Sequence, residues 1–202
     1  QSENDKVEID SQTRNFILSK TVWCASSTHN LEERFVGLVH NKLKKKFKNL
    51  LTVIIPRHID RIEKIKEQLF NIGLKVHTHE PKTKIHQDTD IYLVNSFGKT
   101  KSFYSIIKNI FLGGSLIKHG GQNPLEAVRY GCNVFHGPNI SNFQEIYKFL
   151  KNRNLSRKIV NNQNLASLLL LNLKKKAKHQ KIIKSLNLIG KNILDKTYKE
   201  IC

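Results

Sequence analysis

The sequence predicts an open, doubly wound α/β sheet, and three observations predict it. From residue 21 to residue 137, short apolar runs alternate with stretches of helical periodicity, the signature of parallel βα units. LLTVIIP at 50–56 is apolar throughout, as a strand covered on both faces is. Proline and glycine fall where elements should stop, with Pro56 closing that strand and Gly73 and Gly131 closing helices.

Residues 1–19 are polar and mixed, read as a linker with a short helix over 14–18, and the domain proper runs from 20 to 202. TVWCAS at 21–26 is the first strand. A helix follows over 31–47, with Leu31, Phe35, Leu38, Val39 and Leu43 at helical spacing and Asn30 as N-cap, Glu33 three residues on. After the strand at 50–56 comes a helix over 59–72 ending at Gly73, then strands KVHTH at 75–79 and DIYLV at 90–94. A helix over 98–108 leads to strand NIFLGG at 109–114, a short helix over 123–130 and strand NVFHG at 133–137. Helices over 142–151, 164–176 and 180–200, with a short strand at 158–160, complete the chain. In such a sheet ligands bind beyond the carboxyl ends of the strands, so the strand-to-helix loops are the place to look for chemistry.

The chain has 202 residues and a formal net charge of +19. Two readings of that charge stay open: an anionic partner such as phosphate, nucleic acid or acidic lipid, or a Lys-, Asn- and Ile-rich composition of the kind AT-rich coding produces. Cys24, Cys132 and Cys202 are widely spaced without a CxxC pair, which argues against a disulfide framework or zinc site and fits a reducing cytoplasm. The longest apolar stretch, 165–171, is far short of the roughly 20 residues that span a bilayer. No Met occurs, even at position 1, so the sequence is not expected to begin at its own translation start.

The segment richest in chemistry is GGSLIKHGGQNPLEAVRYG at 113–131, following a strand and running into a helix. Gly113 and Gly114 permit close backbone approach, and Gly120 and Gly121 let the loop turn its N–H groups outward toward an anion. Asn123 suits N-cap, Pro124 the first helical position, and Glu126 the residue that bonds back to the cap. Helix capping alone accounts for Asn123 and Glu126. It does not account for two glycine pairs, which favour a phosphate or nucleotide site backed by the helix dipole.

GGSLIKHGGQNPLE followed by GPNISNFQEI at 137–146 resembles the signature of the transferases of 3-deoxy-D-manno-octulosonic acid (Kdo). SSTHNLEE at 26–33 and IPRHIDR at 55–61 resemble the same family's STHxxEE and PRHxxR motifs, in the same order. The resemblance implies a Rossmann-like domain, the C-terminal donor-binding half of a GT-B glycosyltransferase. Such an enzyme moves Kdo from CMP-Kdo to the lipid A precursor (lipid IVA) in lipopolysaccharide synthesis, at the cytoplasmic face of the bacterial inner membrane, with no cofactor or metal. It further implies that the catalytic glutamate lies in an N-terminal domain absent here, so that no catalytic residue is assigned in this chain and the chain alone binds CMP weakly and transfers nothing. CMP-Kdo, the lipid A precursor through the absent domain and an anionic membrane surface are the partners implied, and nucleic acid is not.

By the same resemblance, Pro56 and Arg57 contact the CMP moiety, and Asn123, Pro124, Leu125 and Glu126 do so from the facing loop. Arg57 offers a planar fork suited to phosphate, and a carboxylate such as Glu126 accepts ribose hydroxyls. With the Gly120–Gly121 turn, Arg57 would stabilise the charge of the departing phosphate. Phe97, Gly98 and Lys99 form the third contact. Here the chain departs from the family: Asn95, Ser96, Phe97, Gly98 and Lys99 replace an aspartate-threonine pair and Met-Gly-Glu, and Gln122 replaces the usual His. Ser27, His29, Ser115 and Gly121 are additional candidates at the same strand ends. His77 and His79 share one strand face but lack a third metal ligand. The basic runs at 42–48 and 174–184 suit nucleic acid or lipid phosphates, or are solvated helix faces; no nucleic-acid module accompanies them. Two other functions remain open: a GT-B transferase using UDP or GDP sugars, and a basic nucleic-acid-binding domain with steep salt dependence.

Overall fold

A computed structural model describes residues 9–80 and 83–174. Seven strands form one sheet in which every neighbouring pair is parallel, in the order β3-β4-β2-β1-β5-β6-β7. They are β1 Thr21–Thr28, β2 Leu50–Pro56, β3 Val76–Thr78, β4 Ile91–Leu93, β5 Asn109–Leu112, β6 Asn133–His136 and β7 Ser156–Lys158. The helices are α1 Ser11–Leu18, α2 Glu32–Lys44, α3 Ile62–Phe70, α4 Thr100–Ile106, α5 Leu125–Arg129, α6 Gln144–Asn152 and α7 Asn162–Lys174. No helix among the described residues is long and apolar enough to cross a membrane. The helix expected over 180–200, most of the basic run at 174–184 and Cys202 lie outside the described residues.

The sheet is covered on both faces, which is why its strands read as apolar runs. Successive residues alternate between two cores: Cys24, Leu51 and Val53 join Phe103, Val128 and Leu150 under α4, α5 and α6. Trp23, Ala25 and Ile54 join Val39, Ile65 and Leu165 under α2, α3 and α7. The doubly wound reading therefore holds.

Several boundaries differ from expectation for local reasons. α1 begins three residues earlier than expected because the Asp10 carboxylate accepts the Thr13 N–H at 2.9 Å, and the helix buries Phe16 and Ile17 in the first core. A single 3-10 turn over Ile59–Arg61 precedes α3. β7 pairs with β6 at 156–158 rather than 158–160. The basic run at 42–48 spans the end of α2 and the turn into β2, with Leu43 buried and the lysines exposed. It lies at the amino ends of the strands, opposite the loops that follow them.

Beneath α2, Asp90 ties that end of the sheet together. It is 2% exposed. It receives Lys75 N at 3.0 Å, His40 Nε2 at 3.3 Å and the Lys44 ammonium. Burial alone pushes the carboxyl up, but the bonds from His40, Lys44 and Lys75 outweigh it and hold its pKa well below the usual carboxylate range. A carboxyl depressed in the folded state stabilises above its unfolded pKa of about 3.9 and loses that contribution as pH falls toward its folded value. The stability gap between wild type and Asp90→Asn, followed by urea unfolding, is therefore largest above about pH 4 and shrinks below it; a gap that widens on acidification contradicts this.

The strand order also locates the crevice. On one side of β1 lie β2, β4 and β3, and the chain then returns to the other side for β5, β6 and β7. The order reverses between β1 and β5, so their carboxyl ends diverge into opposite loops and leave space between them.

Candidate functional site

The loop after β1 is shaped by two residues in the left-handed region, Ser27 at φ 54° and Leu31 at φ 77°, beside an irregularity in the β1–β2 register at 26–28. These turns deliver Glu32 back under the loop after β5. Its carboxylate, 1% exposed, accepts the N–H groups of His29 at 2.9 Å, Gly114 at 2.7 Å, Ser115 at 3.2 Å and Leu116 at 3.0 Å. Burial pushes the Glu32 carboxyl above its ordinary value and these four bonds offset part of that push. Gly113 makes the approach possible, since a Cβ there would lie 2.4 Å from the Ser27 carbonyl oxygen.

This corrects the expectation that the close approach at Gly113 and Gly114 serves a ligand. The anion on Gly114, Ser115 and Leu116 is the protein's own Glu32. Gly121 donates its N–H to the Gly114 carbonyl at 2.9 Å, so it too is spent. Gly120 leaves room for the Asn142 side chain, 2.4 Å from where a Cβ would stand. The Gly120–Gly121 turn is a fixed piece of backbone, and Gly121 leaves the set of candidate ligand contacts.

Beside this locked loop opens a cleft of about 380 Å³ at the carboxyl ends of β1, β2, β4 and β5. Ser27, Pro56 and Arg57 line it on one side, Ser96, Phe97, Gly98, Lys99 and Thr100 on a second, and Gln122, Asn123 and Glu126 on a third. Arg57 and the start of α5, drawn from loops far apart in sequence, thus face the same space. Arg57 is exposed and its backbone N–H is anchored on the Thr28 carbonyl at 2.9 Å, which leaves the guanidinium free to turn into the cleft. The lining carries Arg57 and Lys99 against one carboxylate, Glu126. Phe97 is 67% exposed at its edge.

The start of α5 departs from the expected capping arrangement. Asn123 Oδ1 accepts the Leu125 N–H at 3.0 Å, as a cap does, but Glu126 does not bond back to it. Glu126 instead accepts the Thr100 hydroxyl at 3.2 Å, which holds its carboxylate at the cleft. Pro124 and Leu125 form the helix start beside Asn123 without lining the cleft. At α2 the same pattern fails: Leu31 occupies the cap position with no side-chain bond, and Glu33 instead pairs with Arg61 through two bonds of 2.9 and 3.0 Å.

Of the remaining candidates, Ser115 is fully buried, its hydroxyl donating to the Leu112 carbonyl at 2.6 Å and accepting Gly137 N–H at 2.8 Å, so it serves the backbone. His29 is 8% exposed and does not line the cleft, its ring centre 4.3 Å from that of His119 and 5.7 Å from that of His58. Burial first, then His119, His58, Arg57 and Arg61, lower its pKa to about 4, so the ring is neutral at neutral pH. The sequence reading missed Thr100 and Tyr104, which reach the cleft with Ser96 of the third contact segment; Tyr104 donates to Ser26 Oγ at 2.7 Å. No group of three His, Cys, Asp or Glu among the described residues is placed to hold a metal, and His77 stacks on Tyr92 at 5.6 Å between ring centres.

The chain resembles proteins of one description. It is 33% identical over 149 residues to the 3-deoxy-D-manno-octulosonic acid transferase of Haemophilus influenzae, a match covering 73% of this chain and 35% of that protein. It is 31% identical over 188 residues to the protein of the same name from Rickettsia prowazekii, covering 88% of this chain and 40% of that one. The chain thus spans well under half the length of these relatives. No family model matches it. Among solved structures it is similar to the C-terminal CMP-Kdo binding domain of WaaA from Acinetobacter baumannii, with a TM-score of 0.78 and 24% identity over 88% of this chain and 93% of that one. That likeness supports the shared α/β fold.

Proposed function

We propose that this homologue of the Kdo transferases is the donor-binding half of such an enzyme, holding CMP-Kdo with its nucleotide in the cleft between Arg57 and Glu126. The observation that carries the reading is the convergence of four separate loops on that cleft, bringing a guanidinium and a carboxylate to a space suited to a phosphorylated nucleoside. The names of the relatives supply the donor's identity, and the loops supply the means to bind it.

The chemistry follows from charge. As Kdo leaves CMP, negative charge grows on the phosphate, and Arg57 with Lys99 meets it with positive charge in a partly enclosed site. Glu126, steadied by Thr100, accepts hydrogen bonds from ribose hydroxyls. Phe97 offers a ring face at the edge, where a base can lie. The lipid A precursor, the catalytic carboxylate and the attachment to the cytoplasmic face of the inner membrane belong, on this reading, to parts of the enzyme outside this chain, and the chain alone transfers nothing.

The test is nucleotide selectivity. Wild type binds CMP more tightly than UMP or GMP in calorimetry, and more tightly than 2′-deoxy-CMP. Glu126→Gln weakens CMP about tenfold, the weight of one hydrogen bond to a charged group, and abolishes the preference for CMP over its 2′-deoxy analogue. Equal affinity for all these nucleotides, or unchanged CMP binding in Glu126→Gln, overturns the assignment.

A further inference from the structure

A second cavity, of about 580 Å³, opens at the 118–121 turn. Its lining includes Lys118 and His119 from that turn and Asn139, Ser141 and Gln144 from the segment after β6, and it contains no carboxylate. Lys118, His119, Ser141 and Gln144 are exposed, and Lys118 makes no ion pair among the described residues. One ammonium amid amide, hydroxyl and imidazole groups matches a ligand that is at once anionic and polyhydroxylated.

The cavity is built rather than incidental. Its floor is held where Asn142 N bonds the Gly120 carbonyl at 3.1 Å and Asn139 N bonds the Ser115 carbonyl at 2.9 Å. Ile140 and Asn139 pack at 3.2 Å against the Cβ position of Gly121, so the turn is held from this side as well as by Gly114 on the other. The turn is therefore fixed in place. Gly120 lines the second cavity and Gln122 lines the first, and two residues of chain separate them by at most about 7 Å. A ligand held at the Gln122 edge of the first cavity is thus within about one sugar length of the second.

We infer that this second cavity seats the acidic sugar of the donor, with Lys118 pairing its carboxylate and Asn139, Ser141 and Gln144 meeting its hydroxyls. The inference rests on the nucleotide occupying the first cleft. It assigns the sugar acid a site apart from the nucleotide's, so a carboxylate-bearing sugar is distinguished from a neutral one by a residue that never touches the nucleotide.

The experiment is a titration of the isotope-labelled chain, followed by backbone amide NMR, with CMP alone and with free Kdo alone, paired with calorimetry of CMP and CMP-Kdo. Kdo shifts the amides of Lys118, His119, Asn139 and Ser141, and CMP shifts those of Arg57 and Lys99. CMP-Kdo binds more tightly than CMP, and Lys118→Ala cuts that advantage about tenfold while leaving CMP affinity unchanged. Lys151→Ala, an exposed lysine near the end of α6, leaves the advantage intact. Kdo shifting none of these amides, or an equal loss in both lysine variants, overturns the sugar site while CMP binding in the first cleft stands. Failure of CMP to shift the cleft amides removes the reading of the first cleft instead.

Discussion

Glu32→Ala lowers the melting temperature by roughly 6–20 °C. The substitution leaves the backbone N–H groups of His29, Gly114, Ser115 and Leu116 without their acceptor, in a place where Glu32 is 1% exposed. Buried donors left without an acceptor cost about 1–3 kcal/mol each, roughly 3–5 kcal/mol in all once loss of the buried charge is set against them, and a domain of this size loses about 2–4 °C for each kcal/mol. Glu32→Gln recovers only part of the loss, since its amide keeps one acceptor oxygen and turns an NH₂ group on the same donors. Scanning calorimetry reads both variants. A melting point within 2 °C or so of wild type in Glu32→Ala would mean that water replaces the carboxylate freely and that the loop is not locked as described.

Arg57→Ala should leave stability unchanged and weaken CMP about 10–100-fold, the weight of a charge-assisted contact to phosphate. Arg57 is exposed and its anchoring bond to Thr28 runs through the backbone, so removing its side chain takes nothing from the fold. Arg57→Lys keeps the charge but not the planar fork and retains part of the affinity. Together the two residues separate the roles of the strand-end loops: Glu32 holds the wall and Arg57 holds the ligand. Calorimetry that finds Arg57→Ala binding CMP like wild type would remove the residue from the site.

The strands were legible in the sequence because burial on both faces makes them apolar without interruption, as in LLTVIIP, which is β2 residue for residue. The convergence of Arg57 with Asn123 and Glu126 was legible too, because all of them follow strands of one parallel sheet. What the sequence hid is non-local. Asn30 with Glu33 and Asn123 with Glu126 both have capping-box spacing, yet each glutamate found a better partner elsewhere, Arg61 at 28 residues' distance and Thr100 at 26. The glycines announced close approach without saying of what. The group that meets Gly113 and Gly114 is Glu32, more than 80 residues earlier, and no local pattern reports a carboxylate arriving from another loop. The polar stretch before β1 likewise concealed Phe16 and Ile17, two buried residues in a helix too short to show a period.

The most direct measurement is the crystal structure of the chain grown with CMP. The account predicts the nucleotide between Arg57 and Glu126, its phosphate within hydrogen-bonding distance of the guanidinium, its ribose hydroxyls on the Glu126 carboxylate, and Glu32 still bonded to Gly114. Density for CMP on another face, or a phosphate seated on the Gly114–Leu116 amides with Glu32 displaced, would contradict it.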